Sequence, residues 1–226
     1  LSIKAISISK TYPTSPVQAV KPTSIDINEG TYTFICGPTG SGKTTLLAIL
    51  AGILSPSAGE IVFDTIRFSE RDDKSVSQFR EQHIGYVPQA TLFIPELTVW
   101  ENILSPNSFF KMSIKKLKSS ALDLVERLGL ADKIHMRPFE LSGGEIQKMM
   151  MARALVKKPT YIFADESCSE LDNNSADVIF KILDERKKEG SAVIVASHDH
   201  GTIPENTDVY MMKDGKITDY GKGGTL

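Results

Sequence analysis

Nine consecutive residues, Gly37-Pro38-Thr39-Gly40-Ser41-Gly42-Lys43-Thr44-Thr45, have the types and spacing to hold phosphate groups. From Gly37 to Thr44 they follow the pattern G-x-x-x-x-G-K-[ST]. Glycines let the backbone curl so that successive N–H groups converge on an anion. Lys43 is expected to reach the β- and γ-phosphates of a nucleoside triphosphate, and the Thr44 hydroxyl to take a place on Mg²⁺. A dinucleotide fingerprint does not fit, because Thr45 stands where a third glycine would be required.

Two further groups could act with this loop. The apolar run Tyr161-Ile162-Phe163-Ala164 ends in Asp165-Glu166, and an acid at the carboxyl end of a buried strand faces the same crevice as a phosphate loop. Asp165 is expected to hold Mg²⁺ opposite Thr44, and Glu166 to orient or deprotonate the attacking water. Leu141-Ser142-Gly143-Gly144-Glu145 opens a helical stretch. A serine and two glycines at a helix N-terminus form a second anion site, away from the chain's own phosphate loop.

The elements that must position these groups can be read from periodicity. The first thirty residues alternate apolar and polar, with a turn at Pro13-Thr14-Ser15-Pro16, and predict two strands. The run Thr31 to Cys36 predicts a strand before the phosphate loop, and Leu46 to Leu50 a helix after it. Glu60 to Phe68 reads as one strand, Ser75 to Gln82 as a short helix, Ile84 to Val87 as a buried strand. From Gln89 to about Lys158 the pattern turns helical. Thr98 and Glu101 form a capping box for a helix to Leu104, a longer helix runs from Ser113 to Gly129, and a third from Gly144 to Val156. Strand character returns at Thr160 to Ala164 and Ala192 to Ala196, around a helix from Ser175 to Lys188. Asp214-Gly215 predicts a closing hairpin. This alternation implies an α/β fold, a mostly parallel sheet with a helical insertion midway.

Composition narrows the class. With 226 residues, 41% hydrophobic and 24% charged, the chain can bury a full core. A net charge of −2 gives no general attraction to nucleic acid or anionic lipid. The local cluster Lys111, Lys115, Lys116 and Lys118 accompanies Ile114, Leu117, Ala121, Leu124, Val125 and Leu128 at helical spacing, so the lysines read as the wet face of an amphipathic helix. No apolar run reaches the length of a membrane span and no leader pattern opens the sequence, so a cytoplasmic location is expected. Cys36 and Cys168 lack metal-ligand spacing and are expected to be reduced thiols.

With the phosphate loop, the Asp165-Glu166 strand end and Leu141-Ser142-Gly143-Gly144-Glu145 in hand, nearly the whole chain resembles the ATP-binding cassette (ABC) family, whose signature is the LSGGE/Q string. The resemblance implies a P-loop ATPase core with an antiparallel β-subdomain and an inserted helical subdomain, here residues 1–88 and 159–226 as the core and 89–158 as the insert. It implies ATP and Mg²⁺ as cofactors, and a partner cassette, expected to be a second copy. Across that dimer Ser142, Gly143, Gly144 and Glu145 would cover the ATP of the other subunit. Smaller marks fall in family order. Gln89 resembles the residue that contacts Mg²⁺ and the water, Asp172 the residue that meets the partner, His198 the histidine that bonds the γ-phosphate, and Tyr12 an adenine platform. Ser167 and Glu170 depart from the usual residues at their positions.

A single cassette implies a separate subunit docked on transmembrane permease subunits, at the cytosolic face of the inner or plasma membrane. Arg80, Ile84-Gly85-Tyr86 and Pro95 to Asn102 resemble the lipoprotein-releasing, macrolide-efflux and cell-division branch. The alternatives are an importer ATPase, a soluble cassette of a cytosolic assembly complex, and a nucleotide sensor without turnover. A GTPase is disfavoured because no Asn-Lys-x-Asp guanine reader is present, and a nucleic-acid partner is not expected.

Overall fold

A computed structural model describes residues 2–13, 17–108, 113–166, 173–198 and 207–222. Its strands form two sheets. The first is antiparallel, in the order β2 (Gln18–Asn28), β1 (Ser2–Thr11), β4 (Ala58–Phe63), β5 (Ile66–Arg67). The second has six strands, β10 (Lys216–Lys222), β9 (Asp208–Lys213), β3 (Tyr32–Cys36), β8 (Ala192–Ser197), β7 (Tyr161–Asp165) and β6 (Ile84–Val87). All its neighbours are parallel except β9 and β10, which form the hairpin expected at Asp214-Gly215.

Strand periodicity divides the core. Tyr32, Phe34 and Cys36 of β3, Ile162 and Ala164 of β7, and Val193 and Val195 of β8 face one cluster. Ile35, Tyr161, Phe163, Ala192, Ile194 and Ala196 face the other. Because side chains of a strand alternate between faces, these three strands, buried along all or nearly all of their length, serve two cores at once. The helix α1 (Lys43–Leu50) packs with β1, β2 and β4 on one side. The other face takes α3 (Val99–Leu104), α4 (Ile114–Arg127), α5 (Gly143–Leu155) and α6 (Asn173–Lys188).

The observed elements follow the sequence closely, with three differences. The expected strand from Glu60 to Phe68 is broken. It turns back at Asp64, whose φ is +54°, and continues as β5 and a 3₁₀ turn at Phe68–Glu70. An aspartate tolerates that left-handed conformation, and the Asp64 carboxylate accepts from the Ser2 N–H at 2.6 Å. In α4, Leu117, Ala121, Leu124, Val125 and Leu128 are buried as expected, whereas Ile114, in the first turn, is 60% exposed. Lys115, Lys116 and Lys118 are exposed, and Lys111 lies outside the described residues. The helix α2 (Asp73–His83) starts earlier than expected because the Asp72 carboxylate accepts from the Ser75 N–H. Among the described residues no helix is long and apolar enough to cross a membrane.

Candidate active site

The phosphate loop joins β3 to α1, and its shape depends on glycine at two points. Gly42 caps α1 with φ +101°, and a Cβ there would lie 2.3 Å from the Ala19 carbonyl oxygen. At Gly37 a Cβ would lie 2.0 Å from the Met212 carbonyl oxygen. Neither backbone neighbour can yield, so the loop is pressed against β2 and β9 from behind. The Gly215 N–H donates to the Ser41 carbonyl at 3.0 Å, tying the loop to the β9–β10 turn as well. Pro38, Thr39 and Gly40 form an exposed tip, Ser41 is buried, and Thr44 and Tyr12 are exposed. The hydroxyls of Tyr12 and Thr45 are 3.3 Å apart, which places the Tyr12 ring beside the first turn of α1.

Lys43, the first residue of α1, is buried. Its Nζ donates to the carbonyls of Gly37 at 2.8 Å and Pro38 at 3.1 Å, and lies 3.4 Å from Glu166 Oε1. Glu166 follows β7 with φ +46°, and its N–H donates to the Ala196 carbonyl of β8. The same carboxylate receives Gln89 Nε2 on Oε2 at 2.8 Å and has His198 Nδ1 3.6 Å from Oε1. The four residues expected to be catalytic, Lys43, Gln89, Glu166 and His198, are thus brought together around one carboxylate.

Asp165 is fully buried one residue earlier, and neither of its side-chain oxygens closes a full hydrogen bond. Burial raises its pKa, the neighbouring Thr44 hydroxyl opposes the shift, Glu166 adds to it, and Lys43 again opposes it. Burial, followed by the charge of Asp165, also pushes the Tyr86 hydroxyl up. A buried carboxylate next to the Thr44 hydroxyl, one residue before the glutamate that Gln89 bonds through its Nε2, leaving its own carbonyl oxygen unused there, is an oxygen donor set that fits Mg²⁺.

The Ser142 cap stands apart from this cluster. Ser142 Oγ accepts from the Glu145 N–H at 3.4 Å and Glu145 Oε2 from the Ser142 N–H at 2.8 Å, a closed capping box at the start of α5. Glu145 also pairs with Lys133. Ser142 and Gly143 are exposed, Gly144 half-buried. No hydrogen bond or ion pair among the described residues joins Ser142 to Glu145 with the phosphate loop. Asp172, like Ser167, Cys168 and Glu170, lies outside the described residues.

Three positioning contacts were not expected from the sequence. Asn102 of α3 is fully buried and bonds the backbone of Ile94, Leu97 and Thr98. Arg153 of α5 donates to the Leu92 carbonyl, close to Gln89. Lys133 holds Glu145. Arg153 and Lys133 meet partners from other elements, and Asn102 turns back on the irregular loop just before it, so none follows a regular spacing.

A glycine-rich loop between a buried parallel strand and a helix, with two acids ending a strand of the same sheet, defines a P-loop nucleoside triphosphatase. The profile of the ABC transporter family matches residues 20–169. An ABC transporter ATP-binding protein of Thermotoga maritima is 34% identical over 210 residues, 93% of this chain and 90% of that protein. The lipoprotein-releasing system ATP-binding protein LolD of Bacteroides thetaiotaomicron is 35% identical over 216 residues, 95% of this chain and 98% of that protein. Among solved structures, the dimeric structure of the ABC transporter cassette MJ0796 superposes with a TM-score of 0.91 at 31% identity, covering 99% of this chain and 100% of that one. A post-hydrolysis state of the same cassette, bound to ADP and Pi, gives the same values. The chain belongs to the ABC transporter family, as one of its ATPase cassettes.

Proposed function

We propose that two copies of this chain close head to tail around two ATP molecules, and that the cycle drives a membrane permease in lipoprotein release, efflux or related extraction. The observation that carries the two-copy reading is the isolation of the Ser142 cap. An exposed helix N-terminus suited to an anion makes all its bonds within the segment that follows Gln89, leaving its phosphate to come from another molecule. The dimeric form of MJ0796 and the name of LolD support the partner and the cargo class. In this reading residues 1–88 and 159–226 bind ATP, residues 89–158 carry the signature and touch the permease, and the complex sits at the cytosolic face of the membrane.

Each residue then has a task. Tyr12 stacks on the base, and the N–H groups of the loop from Gly37 to Thr45 cradle the phosphates. Lys43 turns from Glu166 to the β- and γ-phosphate oxygens. Thr44, Asp165 and Gln89 would hold Mg²⁺, which when bound neutralises charge on those oxygens. Glu166 takes the proton of the attacking water, a contribution on the order of 10²–10⁴ in rate. His198 donates to the γ-phosphate. The turn of the second copy made by Ser142, Gly143, Gly144 and Glu145 covers the same group, and Asp172 meets the seam.

Glu166→Gln tests this reading. It keeps the size of the side chain and an acceptor for Gln89, and removes the base. The variant should lose ATP turnover and run as an ATP-dependent dimer in size-exclusion chromatography. Retained turnover, or a monomer at saturating ATP, refutes the roles given to Glu166 and to the paired cassettes.

A further inference from the structure

Glu145 occupies the third position of α5, in the turn that would receive the phosphate. A carboxylate there stabilises the helix, and it also competes with any anion for the same positive end. Two N–H groups of this turn are already engaged: that of Ser142 by Glu145 Oε2 and that of Glu145 by Ser142 Oγ. The N–H groups of Gly143 and Gly144 have no intrahelical acceptor and are the donors left for phosphate oxygens. An unpaired carboxylate beside them would repel the triphosphate they are meant to bind.

Lys133 removes that conflict. It ends the 3₁₀ turn Ala131–Lys133, and its backbone is fixed on both sides, by Lys133 N–H to the Leu130 carbonyl and Met136 N–H to the Lys133 carbonyl. Its Nζ bonds Glu145 Oε1, the oxygen that the capping box leaves unused. The Lys133 hydrogen bond is the first cause that lowers the Glu145 pKa to about 2, followed by the bonds from Ser142.

We propose that Lys133 is a positioning residue for the second anion site: paired with Glu145, it cancels the carboxylate's charge at the start of α5 and holds it off the Gly143 and Gly144 N–H groups, so that the triphosphate seated in a second copy of this chain can dock there. The inference rests on the two-copy reading above and adds the residue that makes a glutamate compatible with it.

The test uses the Glu166→Gln chain and reads the ATP concentration at which half of it becomes dimeric. Adding Lys133→Met should raise that concentration about tenfold, the size expected for an uncompensated charge at a helix terminus near a second anion. Lys133→Arg should stay close to the parent. Lys133→Met combined with Glu145→Gln should return to within about twofold of Glu145→Gln alone, because a neutral amide needs no counter-charge. The Lys133→Met deficit should also shrink as salt rises to about 0.5 M. A parent that never dimerises overturns the two-copy reading and this inference with it. A parent that dimerises alongside an unaffected Lys133→Met overturns the inference alone. Failure of Glu145→Gln to rescue also overturns it, since Lys133 would then be acting as structural glue.

Discussion

Replacing Asn102 by aspartate should give a cassette whose stability depends steeply on pH. The side-chain amide of Asn102 lies fully buried in α3. Its Nδ2 donates to the carbonyls of Ile94, Leu97 and Thr98 at 3.0–3.1 Å, and its Oδ1 accepts from the Ile94 N–H at 2.9 Å. Asn102→Asp is nearly isosteric, so it opens no cavity, but it points an oxygen at three carbonyl oxygens. The ionised form is opposed by burial and by these dipoles, and full burial raises a carboxyl pKa by about 3 units or more. At 1.36 kcal/mol per unit, the ionisation penalty at pH 7 is about 4 kcal/mol. The lost donors add about 1–2 kcal/mol that does not depend on pH. The sign follows from proton counting. Between the unfolded pKa near 3.9 and the raised folded value, the folded variant binds more protons than the unfolded chain, so its stability falls as pH rises through that window. Relative to the parent, the deficit should be about 5–6 kcal/mol at pH 7.5 and shrink to about 2–3 kcal/mol near pH 4.5. Asn102→Ala should instead cost about 3 kcal/mol at every pH, from broken bonds and unpaired carbonyls. Urea denaturation of the three proteins at several pH values measures this directly. A deficit for Asn102→Asp that runs parallel to that of Asn102→Ala across the range would show that water reaches the site, and the account of a dry staple would fail.

Two further outcomes follow from packing. Gly85→Ala places a Cβ 2.6 Å from the Ala154 carbonyl oxygen and 2.7 Å from Pro159 Cγ, where β6 meets the end of α5; it should cost about 1–3 kcal/mol and lower the Tm by about 3–10 °C in a thermal melt, with ATP affinity of the folded protein unchanged. Burial pushes the Cys36 thiol up to about 11, partly offset by Lys43, so Cys36 should resist maleimide at pH 8 until urea unfolds the chain; peptide mapping by mass spectrometry that finds Cys36 labelled in the folded protein would contradict this.

What could be read from the sequence was what is local. The loop from Gly37 to Thr45, the box at Thr98 and Glu101 and the cap at Ser142 and Glu145 each lie within nine consecutive residues or fewer, where spacing is geometry. The strand ends could be read because apolar runs such as Tyr161 to Ala164 stop at a charged residue. Gln89 and Glu166 are 77 residues apart and meet only because β6 and β7 are neighbours, so the resemblance, and not spacing, brought Gln89 into consideration. Asn102 was hidden for another reason. A polar residue in a short helix usually marks a wet face, and here it turns inward to satisfy an irregular loop whose backbone has no sheet or helix to join. Asp64 shows the opposite failure: an apolar alternation continued through a turn that one aspartate in the left-handed region was enough to make.

Strand order explains why Glu166 is the meeting point. In the parallel run β3, β8, β7, β6, Cys36 pairs with Ser197, Ala196 with Asp165, and Ala164 with Val87. The carboxyl ends of four adjacent strands therefore form one edge, each about 4.8 Å from the next. Lys43 follows the first of these ends, His198 the second, Glu166 the third and Gln89 the fourth. A carboxylate on the third strand reaches the second and fourth directly, and the long side chain of Lys43 spans the gap from the first. Gln89 differs from the others in what it is joined to. It leads into the segment where Arg153 holds the Leu92 carbonyl and Asn102 holds Ile94 to Thr98. These bonds tie Leu92 to Thr98 onto α3 and α5, and Gln89, three residues before Leu92, is the residue by which this stretch of chain meets the Glu166 carboxylate. In this fold the proposed base and the start of the helical insert are one hydrogen bond apart, and that bond is the 2.8 Å contact between Gln89 Nε2 and Glu166 Oε2.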